Sequence, residues 1–193
     1  MDPSTGFKKI NTAVFISGTG SNLKSLINFS KNKKSPINIK LILSNRQSAK
    51  GLRYSKIFKI KKKFINFKKK TIAEKKTLSV LKKNHINLIC LAGFMKILSK
   101  NFLKNFDGKI INIHPSLLPK YKGLDTHKRV IKNNEKFSGC TVHFVNSRLD
   151  SGKIILQEKV KVKKNDTPKS LAKRILFKEH ELYPRAILKI FNH

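Results

Sequence analysis

The sequence has no tryptophan, two cysteines and only ten acidic side chains in 193 residues. The cysteines, Cys90 and Cys140, exclude a disulfide framework and a four-cysteine zinc site. They point to a reduced, cytoplasmic setting. No histidine and cysteine pair has metal-ligand spacing, so no metal is expected. No apolar run approaches the roughly 18 residues of a membrane-spanning helix, so no membrane partner is expected. Residues 1–11 lack a signal-peptide core and cleavage pattern and are read as a flexible tail or a short edge. There is no internal repeat and no Gly/Ser-rich linker. The length fits a single domain, residues 1–193, able to bury its own core.

Positive charge is what the chain has in excess. Lysine and arginine total 44 against 10 acids, a formal net charge of +34. Such a field attracts polyanions, and it equally attracts a small substrate carrying phosphate and carboxylates. The lysines are spread along the whole chain with many Asn, Ile, Phe and Ser, which reads as a global composition bias. No specific nucleic-acid partner is therefore expected, and a basic nucleic-acid-binding protein is kept as an alternative. The densest run, residues 61–70 (KKKFINFKKK), is where such a patch would lie, or else a solvated loop or helix start. With so few acids, each carboxylate is informative.

The first half alternates strand and helix patterns. Residues 13–17, 37–43, 56–60, 87–92 and 109–113 read as strands, with 87–92 central. Residues 71–83 read as a helix with Ile72, Leu78 and Leu81 on its apolar side, and 99–106 as a short helix. This order argues an α/β fold: an open, mostly parallel twisted sheet with helices on both faces. Further on, residues 141–145 and 153–163 read as strands around a turn at 150–152. One face of 156–163 is wet. A long final helix starts at Thr167 as N-cap and Pro168 at its first position. It runs to about Phe191, with Pro184 expected to kink or interrupt it.

Four places carry chemistry. The turn Gly18-Thr19-Gly20-Ser21-Asn22 joins a strand to a helix, so free N–H groups and the helix dipole meet at one spot. That suits a phosphate or is a plain structural turn; with Leu23 in place of glycine it is not the dinucleotide fingerprint. Asn112 and His114 are two apart at a strand end and share a face, with Pro115 stopping the ladder. Asp150 lies in a turn and is read either as a turn former or as a partner that favours imidazolium. Glu179 falls on the stripe 171, 175, 179, 182, 186, 190 of the last helix, so it faces inward and needs a partner. His143 is a candidate for the same face as the site, and His127 for a loop beside it.

These residues sit in longer blocks: AVFISGTGSNLKSLI (13–27), LAGFMKILS (91–99), INIHPSLLPKYKGLDTH (111–127), TVHFVNSRLDSGKIILQEKV (141–160) and KEHELYP (178–184). Together, in this order, they resemble the phosphoribosylglycinamide formyltransferases over about residues 12–183. The resemblance implies the formyltransferase fold, Rossmann-like in its N-terminal half, with antiparallel strands and a long helix at the end. It divides the chain into a phosphate-binding half, 12–106, and a catalytic and folate half, 107–193. It implies transfer of a formyl group from 10-formyltetrahydrofolate, a reduced folate co-substrate, to the amine of glycinamide ribonucleotide in purine synthesis. A different amine acceptor is the alternative within the family.

Carried over by position, Asn112, His114 and Asp150 would be catalytic. Gly20, Ser21 and Asn22 would hold the phosphate of glycinamide ribonucleotide, and Glu179 its ribose. Lys70, Met95, Lys96, Ile97, Leu98 and Asn112 would contact folate, and Asn146, Ser147, Arg148 and Leu149 its pterin. Asp150 would keep His114 charged, and Cys90 and Cys140 would be bystanders. A monomer or weak homodimer is expected. Three positions depart from the family pattern: Lys70 stands for arginine, and Ser151 and Lys153 for glycine and proline. Lysine loses the guanidinium fork, and Ser151 is expected to lose a glycine's freedom in its turn.

Overall fold

The computed structural model describes residues 9–191. Seven strands form one sheet in the order β3-β2-β1-β4-β5-β6-β7. They are β1 (Ile10–Ile16), β2 (Ile37–Ser44), β3 (Lys61–Phe64), β4 (Leu88–Leu91), β5 (Lys109–His114), β6 (Phe137–Phe144) and β7 (Ile154–Lys161). β1 to β5 are parallel, and β6 and β7 are antiparallel additions. The helices are α1 (Ser21–Ser30), α2 (Tyr54–Phe58), α3 (Lys70–Lys83), α4 (Lys100–Asn105), α5 (Thr126–Lys132) and α6 (Pro168–Phe191), with a 3₁₀ turn at Lys50–Arg53. The mixed sheet with a long C-terminal helix is the fold class the sequence implied.

Alternation along the strands splits the core into two layers. Val14, Ile16, Cys90, Ile111 and Val142 pack with α1 and α6 on one face. Ala13, Phe15, Ile89, Leu91 and Ile110 pack with Ala73 and Leu81 of α3 and Phe102 of α4 on the other. Tyr183 of α6 is fully buried, and its hydroxyl reaches the carbonyls of Leu91 (3.0 Å) and Ile111 (3.2 Å), tying the helix to β4 and β5. Thr167 caps α6 by accepting from the Ser170 N–H. Pro184 does not interrupt the helix, which continues to Phe191.

Some elements differ from the expectations. Ile10 and Asn11 are strand residues, paired with Ile37 and Asn38, so of the two readings of 1–11, tail or edge, these two belong to the edge. Lys9 is tied down as well, its Nζ donating to the Ser30 (3.1 Å) and Asn32 (3.0 Å) carbonyls, and residues 1–8 lie outside the described residues. Residues 56–60 are not a strand: α2 ends at Phe58, and Lys59 turns the chain left-handed at φ 53°. The strand comes next, at Lys61–Phe64, where all four residues are exposed on the rim of the sheet. Ile72 is exposed and the inner face of α3 is Ala73, Glu74, Thr77 and Leu81. Glu74 is buried because the Ser99 N–H and hydroxyl both donate to its carboxylate.

Candidate active site

The carboxyl ends of β1, β4 and β5 open on one side of the sheet, and strand order reverses between β1 and β4. Ligands of open α/β sheets bind at such a switch point. Ser17 stitches the two loops there: its N–H donates to the Gly93 carbonyl (3.0 Å) and its hydroxyl accepts from the Met95 N–H (2.7 Å).

After β1, Gly20 is the residue before α1, with φ 77°. A Cβ on it would lie 2.8 Å from the Gly51 Cα, so the turn and the 3₁₀ segment meet glycine to glycine. Gly18 has open space around it and a φ outside the left-handed range, so Gly20 alone carries the conformational demand. No side chain caps α1. Its first N–H groups and the positive end of its dipole are therefore available to an anion. The Asn22 side-chain amide is engaged across the fold. Its Nδ2 donates to Glu179 Oε2 at 2.6 Å, across from α1 to α6. Glu179 is 7% exposed, and burial pushes its carboxyl up to about 7 against the pull of the Asn22 amide. Asn22 Oδ1 is buried without a partner, an acceptor left for a donor from outside the chain.

β5 places Asn112 and His114 on one sheet face, and the antiparallel register sets His143 of β6 directly opposite Asn112. The hairpin loop between β6 and β7 then folds back so that Asp150 meets both rings. Asp150 Oδ2 is 3.4 Å from His114 Nδ1, and Oδ1 is 3.7 Å from His143 Nε2. The Gly123 N–H holds the same carboxylate at 2.9 Å. His114 Nε2 donates to the Tyr121 carbonyl at 2.9 Å, leaving Nδ1 toward Asp150. His143 Nδ1 donates to the Phe144 carbonyl at 2.8 Å, and its Nε2 accepts from Asn112 Nδ2 at 3.2 Å. The tautomers follow from these partners.

Electrostatics divide the pair. Burial alone would raise the Asp150 carboxyl; the His143 ring, the Gly123 N–H and His114 outweigh it and hold it below the ordinary value. Burial lowers His114 below its ordinary 6.5, and the Tyr121 carbonyl and Asp150 offset this only in part. Burial thus outweighs the pull of Asp150, and the ring gives up its proton more readily than a free imidazole. His127 belongs to α5, not to a loop. It is lowered by burial and by His114 nearby.

The expected folate contacts separate into groups. Met95 and Ile97 are 55% and 59% exposed beside the β4 end, and Lys96 is exposed with them. Leu98 is buried in the core layer of α3 and α4, so it supports this loop from below. A 220 Å³ groove joins Met95 and Lys96 to Arg46 and Lys68. Lys70 is not in the lining of that groove, whose cations are Arg46, Lys68 and Lys96; it opens α3 as an exposed residue. Asn146 shapes its own loop, accepting from the Arg148 N–H and donating to the Ser151 carbonyl. Ser147 and Arg148 are exposed, and Leu149 is half-exposed. The left-handed residue of this turn is Asp150 (φ 44°), not Ser151. Ser151 costs the turn no strain and adds a link, its hydroxyl accepting from Lys122 Nζ at 2.6 Å. Glycine is required at 152, where a Cβ would strike the Phe144 carbonyl.

Cys90 and Cys140 are both buried, and burial pushes both thiols up, Cys140 to about 12. Neither supplies a thiolate. Among the described residues no three histidine, cysteine or carboxylate side chains are arranged so that they could hold a metal ion.

Comparison with known proteins accords with this geometry. The formyl transferase family model matches residues 10–187. A phosphoribosylglycinamide formyltransferase of Haemophilus influenzae is 40% identical over 183 residues, covering 93% of this chain and 85% of its own. The trifunctional purine biosynthetic protein adenosine-3 of Gallus gallus is 44% identical over 182 residues; the match spans 18% of that longer protein. The crystal structure of phosphoribosylglycinamide formyltransferase from Brucella melitensis superposes with a TM-score of 0.89 at 39% identity, covering 95% of this chain and 96% of that one. A formyl transferase model matched over residues 10–187, and 40% identity across 93% of the chain, make this chain a member of the phosphoribosylglycinamide formyltransferase family.

Proposed function

We propose that this protein transfers a formyl group from 10-formyltetrahydrofolate to the amine of glycinamide ribonucleotide, giving N-formylglycinamide ribonucleotide and tetrahydrofolate, as a cytoplasmic enzyme. The observation that carries the reading is the convergence of Asn112, His114 and Asp150 at the end of β5. That point lies two inter-strand spacings, about 10 Å, from the strand feeding the uncapped glycine turn. The phosphate occupies the first N–H groups of α1. The ribose hydroxyls face Glu179 and the unpartnered Asn22 Oδ1. The folate lies along Met95, Ile97 and the 146–149 loop, its carboxylates toward Lys96 and Lys68.

The acceptor amine attacks the formyl carbon, and charge develops on the former carbonyl oxygen. Asn112 has one amide hydrogen engaged by His143 and the other free for that oxygen. His114 gains a proton as the oxyanion forms, because the new charge and Asp150 together overcome the burial that disfavours imidazolium. Donors of this kind are worth roughly 3–4 kcal/mol each in acyl transfer. The proton lost by the amine passes to the leaving folate nitrogen through His114 or a water held by Asp150. No bond to the enzyme forms. The test is incubation with a 10-formyl dideazafolate and glycinamide ribonucleotide while following absorbance of the deformylated product. Formylation of the acceptor in a wild-type sample and its loss in Asn112→Ala support the reading; an inactive wild-type protein overturns it. A replacement acceptor lacking the phosphate separates this reaction from formyl transfer to another amine.

A further inference from the structure

A second concavity of about 530 Å³ lies between the residues after α5, the start of β6 and the loop that follows His114. It shares only Tyr121 with the crevice described above. Its wall combines apolar Leu117, Val130 and Phe137 with Lys120, Lys136 and Lys159. Glu135, also in the wall, is already engaged by Lys120 Nζ (3.0 Å) and the Tyr121 hydroxyl (2.9 Å). Neither Lys136 nor Lys159 pairs with a carboxylate among the described residues, and Lys159 Nζ sits 3.7 Å over the Phe137 ring. Ser138 completes the lining. It is 2% exposed and its hydroxyl has no hydrogen-bond partner. That hydroxyl is sealed within the fold, so what the cavity offers a ligand is its apolar wall and two ammonium groups that no carboxylate neutralises.

We propose that this cavity binds a small organic phosphate. Three lysines against one glutamate leave a formal charge of +2 in the lining, which a phosphate monoester of about −2 balances and a single carboxylate does not. The cavity is far larger than a phosphate, and its apolar side requires a body attached to the anion. The occupant is also linked to His114 through one residue. The Tyr121 hydroxyl donates to Glu135 and accepts from Asn133 Nδ2 (3.0 Å), while the Tyr121 carbonyl accepts from His114 Nε2. Tyr121 holds these partners from a left-handed backbone, φ 57°. A ligand that displaces its ring therefore shifts the carbonyl that orients the imidazole. This linkage takes its functional meaning from the proposed reaction; the binding does not depend on it.

The sequence contains no tryptophan, so Phe137→Trp places a single indole, excited apart from the tyrosines, in the cavity wall. Titration with adenosine monophosphate is expected to give a saturable change in its emission, with adenosine and inorganic phosphate each weaker by about tenfold or more. Adding Lys136→Gln and Lys159→Gln weakens the nucleotide by a similar factor. Removing two of 44 basic residues scarcely alters diffuse attraction, so an unchanged titration in that variant overturns the proposal, as does an unsaturable response. Circular dichroism verifies folding. If Phe137→Trp misfolds, equilibrium dialysis on the native chain decides by the same comparison, with and without the two lysine substitutions. The linkage is read from the His114 ring resonances, which shift with nucleotide in the native protein and stay fixed in Tyr121→Phe. Failure of formyl transfer would leave the fluorescence result unaffected.

Discussion

Glu179 accepts a 2.6 Å hydrogen bond from Asn22, 157 positions earlier in the chain, and the contact is buried between α1 and α6. A carboxyl whose value rises from 4.5 to about 7 on folding binds its proton more tightly in the native state. Its contribution to stability is complete below 4.5 and is lost as pH rises through about 7. Glu179→Gln, which keeps an acceptor for Asn22 without the charge, should therefore stabilise the protein at about pH 8, by at most roughly 3 kcal/mol, and leave it unchanged near pH 4. Thermal melts at the two pH values read this directly. A wild-type advantage at the higher pH would contradict it. The same variant should raise the KM for glycinamide ribonucleotide.

Asp150→Asn removes the counter-charge of His114 while keeping an acceptor for the Gly123 N–H. The turnover number should fall by about 10²- to 10⁴-fold. Because Asp150 pulls the ring upward, its loss should also move the His114 limb of the pH–rate profile to lower pH. A drop in rate with an unmoved profile would assign Asp150 a purely structural part.

Gly20→Ala forces a side chain onto a left-handed backbone and to within 2.8 Å of the Gly51 Cα. The expected cost is about 2 kcal/mol in urea denaturation. The acceptor KM should rise more than the folate KM, since the displaced N–H groups are those proposed to hold the phosphate. Gly18→Ala, with open space around it, should do neither.

Tyr183→Phe leaves two buried carbonyls, those of Leu91 and Ile111, without the hydroxyl that serves them. Denaturation should show a loss of about 1–3 kcal/mol. Turnover should hold, because Tyr183 packs with Ile111 on the α1 and α6 side of the sheet, the face opposite the one that Asn112 and His114 take by alternation.

What the sequence disclosed follows from how local each signal is. The apolar run before Gly20 and the spacing of Asn112 and His114 are local patterns, and both appear where they were expected. Glu179 was legible because a helix repeats every 3.6 residues and so declares which face is inward. Residues 56–60 misled because five residues with mixed apolar content do not distinguish strand from helix. α5 went unread for the same reason, since seven residues carry too short a period. The place of His143 at Asp150 depends on an antiparallel register that no spacing encodes. Gly51 was missed because its need for a missing Cβ arises from Gly20, a contact across the fold. Ser151 was misjudged because the strained backbone belongs to its neighbour, Asp150.

The two rims of the sheet share a property with a physical consequence. β3 exposes Lys61, Lys62 and Lys63, and β7 exposes Lys159 and Lys161. Two copies approaching border to border would bring ammonium rows face to face, so ladder growth from molecule to molecule is opposed electrostatically. That protection weakens as ions screen it over a Debye length of about 10 Å at moderate salt, which makes concentrated brine, rather than dilution, the condition under which this protein should clump.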